Sequence, residues 1–187
     1  MKRIVLTFGL IAGIILVAMM FLTLPFHDAL GFDRAMIVGY TTMLLAFLLV
    51  YFGVRSYRDN VARGAVGFGR AFVVGLLISF VASACYATAW GVYYFSARPD
   101  YLTKYQAHEM EKARASGESA EALAKRKAEM EDLARKYENP AFNFALTFLE
   151  PMPVALIMSL VSAGVLSRRR KEGIVAVERG APLGSLP

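Results

Sequence analysis

The sequence predicts an all-α integral membrane protein, a bundle of four transmembrane helices with a charged helical hairpin between the third and the fourth. Three observations support this fold class. Hydrophobic residues make up 57% of the 187 residues, well above the share usual in soluble domains. Four segments are long and almost uncharged. Their apolar character is continuous rather than alternating, which favours helices over barrel strands. We therefore expect a single membrane domain over residues 1–187.

The four predicted transmembrane helices each provide about 20 residues or more, the length needed to cross a hydrocarbon core of about 30 Å. They cover about residues 4–25, 35–54, 70–96 and 141–167. The first is too long for the apolar part of a signal peptide and is expected to remain as a signal anchor.

Basic residues predict the orientation of these helices, because short cytoplasmic loops are enriched in Lys and Arg. Arg55, Arg58 and Arg70 form a predicted cytoplasmic basic loop, and a tail at 168–187 opens with four basic residues. We expect both termini in the cytoplasm. The net charge of +6 then collects at one membrane face, where anionic lipids attract it, and no nucleic acid is needed to explain it.

Glycines in the same loop resemble a phosphate-binding pattern only superficially. Gly64, Gly67 and Gly69 follow the order G-x-x-G-x-G, which is neither the dinucleotide nor the Walker pattern, and no strand precedes them. We expect Gly69 to let the chain re-enter the membrane. The three arginines could alternatively hold a lipid phosphate.

Residues 98–138 combine nine basic and nine acidic residues in a composition of helix formers. The segment is expected to break near Gly117 and form an extracytoplasmic helical hairpin. Its apolar seam is narrow, consisting of Leu123, Met130, Leu133 and Tyr137. Two interpretations remain open: a solvated hairpin leaning on the membrane domain, or a docking element for a partner protein.

Small residues recur every four positions along the third predicted helix, which lets helix backbones approach closely in lipid. After Ala71 they are Gly75, Ser79, Ser83, Ala87 and Gly91. The first helix adds Gly9 and Gly13, and the fourth carries a shorter series. We expect the third and fourth helices to pack as antiparallel neighbours, with a homo-oligomer on the same residues as the alternative.

Glu150 is the one acidic residue within an apolar segment, about 13 Å along the fourth helix. Such residues are costly in a bilayer and usually face the bundle interior. Pro151 and Pro153 follow it and free backbone carbonyls. Glu150 is either a protonatable or cation-binding site in a helix break, or a structural residue pinned to polar groups at the same depth. Plausible partners are Tyr40, Thr41, Thr42 and Tyr86.

Aromatic residues cluster at the outer end of the third helix: Tyr86, Trp90, Tyr93 and Tyr94. Trp and Tyr prefer the interface between water and lipid, so an aromatic belt is one interpretation. A shallow extracytoplasmic cavity lined by these rings is the other.

The sequence contains none of the enzyme motifs GxSxG, HExxH and Walker A, so we expect no catalytic activity and no cofactor. His27 and Asp28 are too weak a signal for a metal site, and none is expected. Cys85 is the single cysteine and cannot form an intramolecular disulfide.

One stretch identifies a family resemblance. Gly53, Val54, Arg55, Tyr57 and Arg58 form a segment of the type G-[IV]-[KR]-x-[YF]-R, and "FGRAFVVGLLI" follows at residues 68–78. Together with "FLEPMPVALIMSLVSA" at 148–163, this resembles the domain-of-unknown-function family 4199 (DUF4199), small bacterial membrane proteins.

The resemblance implies a multi-pass protein of the bacterial inner membrane and implies no activity. Two functional hypotheses follow. The first is a non-catalytic structural or interaction component of the cell envelope that presents residues 98–138 to a partner. The alternative is a small proton- or ion-linked transporter that uses Glu150.

Overall fold

A computed structural model describes residues 1–26, 31–97 and 100–167, and within them it contains helices and no strand. The predicted all-α class is confirmed. The helices are α1 (Lys2–Thr23), α2 (Phe32–Asn60), α3 (Phe68–Ala97), α4 (Tyr101–Ala115), α5 (Ala120–Tyr137), α6 (Pro140–Leu149) and α7 (Met152–Leu166), with one 3₁₀ turn at Leu24–Phe26. Four spans are long and apolar enough to cross a membrane: α1, α2, α3 and Pro140–Leu166.

The α3 helix lies at the centre of the bundle and packs against α1, α2, α6 and α7. Its buried Val74 and Ile78 belong to the same core as Phe47 and Val50 of α2. Large apolar residues on the opposite helix faces, such as Ile14, Ile37 and Phe80, are exposed, as expected for surfaces in contact with lipid.

Small residues bring the helices of this core together. A side-chain Cβ built on Gly9 or Gly13 would lie 2.7 Å from the Cβ of Val81 or of Cys85, so α1 packs on α3 through its GxxxG pair. A Cβ on Gly75 would lie 3.2 Å from the Cβ of Ser159, which brings α3 against α7. Of the predicted series on α3, Gly91 alone is partly exposed. A Cβ built on it would lie 3.8 Å from Asn143 Oδ1, so the packing here is looser.

The predicted basic loop is wrong in its boundaries. Arg55 and Arg58 lie in the last turns of α2, and Arg70 lies in the first turn of α3, because a helix continues past the end of its apolar run wherever charged residues favour it. Asp59 pairs with Arg58 at 2.7 Å and with Arg55 at 3.7 Å.

The tight turn of this connection lies earlier than expected. Arg63 and Gly64 have φ of 53° and 87°, the left-handed region that glycine adopts most easily. Gly69, which is predicted to let the chain re-enter the membrane, lies in the first turn of α3. The actual linker is residues 61–67.

The fourth predicted helix is broken at Glu150–Pro151 into α6 and α7. Before it, α4 and α5 form a hairpin, here called the 101–137 hairpin. Gly117 turns it with φ of 77°, Ser119 caps α5 by accepting from the Ala122 N–H, and Arg126 donates to both carboxylate oxygens of Glu118. Predictions concerning His27, Asp28, residues 98–99 and the tail at 168–187 lie outside the described residues.

Candidate functional site

A cavity of about 200 Å³ lies where the bundle meets the 101–137 hairpin. Its lining comes from α1, α2, α3, α4 and the end of α5, and it includes Glu150 at the break between α6 and α7. Tyr40, Tyr86 and Glu150, three residues predicted from the sequence to share one site, all line it. The cavity opens on the surface of the bundle, since Tyr40 and Glu150 are exposed.

The Glu150 carboxylate has one hydrogen-bond partner among the described residues, the Tyr86 hydroxyl, which donates to Oε2 at 3.4 Å. The backbone beneath it is interrupted. Pro151 and Pro153 have no N–H, so the carbonyls of Thr147 and Leu149 lose the bond of a continuous helix. The break therefore places the Glu150 carboxyl group at an interrupted helix about 15 Å into the span that begins at Pro140.

Of the other partners proposed for Glu150, the two threonines donate hydrogen bonds to backbone carbonyls of their own helix. Thr41 Oγ1 donates to the Ile37 carbonyl at 2.7 Å, and Thr42 Oγ1 donates to the Gly39 carbonyl at 2.8 Å. Thr42 still lines the cavity, whereas Thr41 does not.

Tyr137, the last residue of α5, fixes the hairpin to the bundle. Its hydroxyl accepts from Trp90 Nε1 at 2.7 Å and shares a hydrogen bond of 3.0 Å with Thr147 Oγ1. Its ring meets Tyr94 edge-on at 5.2 Å. Burial raises the pKa of the Tyr137 hydroxyl, which keeps it neutral. The aromatic cluster of α3 thus forms a wall of the cavity and holds the hairpin.

A polar face of α6 connects these elements. Asn139, Asn143, Thr147 and Glu150 follow at spacings of four, four and three, which places them on one side of a helix. Asn139 caps α6 by accepting from the Ala141 N–H at 2.9 Å. Asn143 is fully buried, and neither of its amide atoms has a hydrogen-bond partner in the described part of the chain.

Helix α4 covers the cavity from the hairpin side. Its Tyr105 ring meets Phe32 at 5.7 Å, and its Lys112 donates to Asp33 Oδ1 at 3.1 Å. This hydrogen bond raises the pKa of Lys112. Tyr105 and Glu109 add to the cavity lining, so the hairpin contributes part of the site.

The three carboxylates of the lining differ in their partners. Asp33 pairs with Lys112, and Glu109 lies 3.9 Å from Arg126. Within residues 1–26, 31–97 and 100–167, Glu150 has no Lys, Arg or His at salt-bridge distance, and no cationic residue lines the cavity. Of these three carboxyl groups, Glu150 is therefore the one without a basic partner among the described residues.

The structure brings Glu150, Tyr86 and Tyr40 to one cavity, whereas the sequence did not indicate the part that the hairpin and α6 take in its surroundings. The spacing of Asn143, Thr147 and Glu150 would have indicated the polar face of α6. Nothing local indicates that Tyr105 and Glu109 reach the cavity, because α4 lies far along the chain from α2, whose Phe32 meets Tyr105.

The fold and site define a small helical membrane protein with an acidic, aromatic-lined cavity at a helix break. The chain matches the family described as "Protein of unknown function (DUF4199)" over residues 7–168. It belongs to this family, which confirms the resemblance seen in the sequence. Comparison with curated proteins and with solved structures finds no match.

Proposed function

We propose that this protein is a small, non-catalytic transporter of cations in the bacterial inner membrane. Its Glu150 carboxyl group would exchange a proton for the transported cation. In the exchange, the neutral carboxylic acid releases its proton, and the resulting carboxylate pairs with the cation. The observation that carries the proposal is the position of Glu150, accessible in a cavity at a proline break of its helix.

A carboxylate within a span is costly and is found where it serves an ion or proton pathway. Breaks in membrane helices are a common way to provide such a site, because unwound backbone supplies oxygen ligands. Glu150 combines both features and, among the described residues, has no cationic partner that would make it a purely structural ion pair.

The test is flux in proteoliposomes that contain a pH-sensitive dye and an imposed proton gradient. Inorganic and organic cations are added in turn to vesicles with the native protein, Glu150→Gln, or Glu121→Gln as a control on the exposed face of α5. At least one cation should dissipate the gradient through the native protein and the control, and not through Glu150→Gln. Equal rates in protein-free vesicles, or in Glu150→Gln, would refute the proposal.

The structural or interaction role of the hairpin stays a prediction. One observation favours it, since Leu133 of the apolar seam is 41% exposed. The rest of the seam is less available, because Tyr137 is buried against Trp90 and Gln106 of α4 donates to the Met130 carbonyl. Cross-linking with and without residues 101–137 tests it, and identical partners in both cases would contradict it.

A further inference from the structure

We propose that the cavity selects an organic ammonium ion carrying an apolar group about the size of one aromatic ring. The proposal rests on the function proposed above, because it names the chemical class of the cation that pairs with Glu150. It is carried by the combination of Glu150, which has no cationic partner in the described part of the chain, with the aromatic side chains around it.

In the described part of the chain, six aromatic residues line the cavity: Phe32, Tyr40, Tyr86, Trp90, Tyr105 and Tyr137. The faces of such rings attract cations through their quadrupoles, and recognition of quaternary ammonium groups by aromatic cages uses this attraction. The effect grows when the cation is desolvated, as it would be next to Glu150 within the bundle.

The donor set argues against a divalent inorganic cation. Calcium takes six to eight oxygen ligands and magnesium demands octahedral geometry. No group of three metal-ligating side chains occurs in the described residues. Of the lining carboxylates, Asp33 is engaged by Lys112 and Glu109 lies near Arg126. One carboxylate among aromatic rings suits a large, weakly hydrated cation better.

The size and charge of the cavity further restrict the class of cation that it could bind. Its volume of about 200 Å³ is below the 300–1,000 Å³ usual for drug-sized ligands, so a single ring with an ammonium group is the appropriate scale. A zwitterionic lipid headgroup fits less well, because its phosphate would meet carboxylates, and the described residues place no Lys or Arg in the lining.

Trp90 provides a direct measurement, since it is the single tryptophan of the chain and lines the cavity. The full chain in detergent is titrated with benzyltrimethylammonium while its tryptophan fluorescence is recorded. Tetramethylammonium, sodium and phenylacetate serve as probes that lack the ring, the organic group or the positive charge.

We expect a saturable change with benzyltrimethylammonium and an affinity at least about tenfold weaker for tetramethylammonium and sodium. Phenylacetate should give no saturable change. Glu150→Gln should weaken the binding of benzyltrimethylammonium about tenfold or more, and Tyr40→Leu should weaken it about threefold or more. Tyr40→Phe keeps the aromatic ring, so this variant should bind nearly as well as the native protein. Size-exclusion profiles check that each variant is folded, and the Tyr40 pair tests the site independently of Glu150.

Equal affinity for sodium and benzyltrimethylammonium, equal binding of phenylacetate, or equal effects of Tyr40→Phe and Tyr40→Leu would overturn the inference. Proton exchange that depends on Glu150 with sodium alone would overturn it while leaving the proposed transport intact. Selective ammonium binding without proton-coupled flux would support the inference and contradict transport.

Discussion

The two halves of α3 differ in how they pack and in what they contact. From Ala71 to Ser83 its inner face is small or aliphatic and packed without space, with Val74, Ile78, Ser79 and Ala82 all fully buried. From Tyr86 to Tyr94 the inner face is aromatic, hydrogen-bonded to other elements and open to a cavity. The first half is closely packed and supports the bundle. The second half presents accessible polar groups and forms part of the candidate site.

The largest expected effect comes from disturbing the packed half. Gly75→Leu places a side chain where even a Cβ would lie 3.1 Å from Val50 and 3.2 Å from Ser159. Overpacking of this kind costs about 1–3 kcal/mol or more, so the melting temperature in detergent should fall clearly. Gly164→Leu is the control, since no atom lies within 4 Å of its Cβ position, and an equal loss in both variants would refute the distinction.

Removing one hydroxyl tests how the cavity half holds the hairpin. Tyr137→Phe deletes the acceptor of the Trp90 N–H and the partner of Thr147, at a cost of about 1–3 kcal/mol for buried groups that lose a bond. The temperature of thermal unfolding should fall, and the fluorescence emission of Trp90 should change.

The matched control for Tyr137→Phe is Tyr93→Phe, because the Tyr93 hydroxyl makes no hydrogen bond within the described residues. Tyr93→Phe should leave both readouts unchanged. A stable Tyr137→Phe variant with native emission would show that the hairpin is held by other contacts.

A smaller effect is expected where α4 meets α2 at the surface. Lys112→Ala removes the hydrogen bond to Asp33, so amide hydrogen exchange in residues 101–115 should become faster, with the bundle unaffected. Lys125→Ala on α5 is the control.

The same contact should weaken at high pH. The pKa of Lys112 is raised by Asp33, so its stabilising contribution is complete below the unfolded-state pKa of lysine. It is lost as the pH rises through the raised value. Exchange in residues 101–115 that is unchanged by the substitution and by alkaline pH would mean that this contact does not hold α4.

Hydrophobicity and charge alone were enough to predict the spans, the hairpin and the position of Glu150. Lengths of apolar runs determine spans, yet they misplaced the ends of α2, because Arg55 and Arg58 continue the helix beyond the apolar part. The pairing of Tyr137 with Trp90, and the approach of Tyr105 to Phe32, depend on tertiary packing between distant segments. No local pattern encodes these contacts.

Proton release on cation binding tests the central claim most directly. Benzyltrimethylammonium is added to weakly buffered protein containing a pH indicator, across the mildly acidic to neutral range. The account predicts that the native protein releases protons in proportion to the cation bound, with the release absent in Glu150→Gln and retained in Glu121→Gln. Saturable binding without proton release at any pH in this range, or the same release from Glu150→Gln, would contradict it.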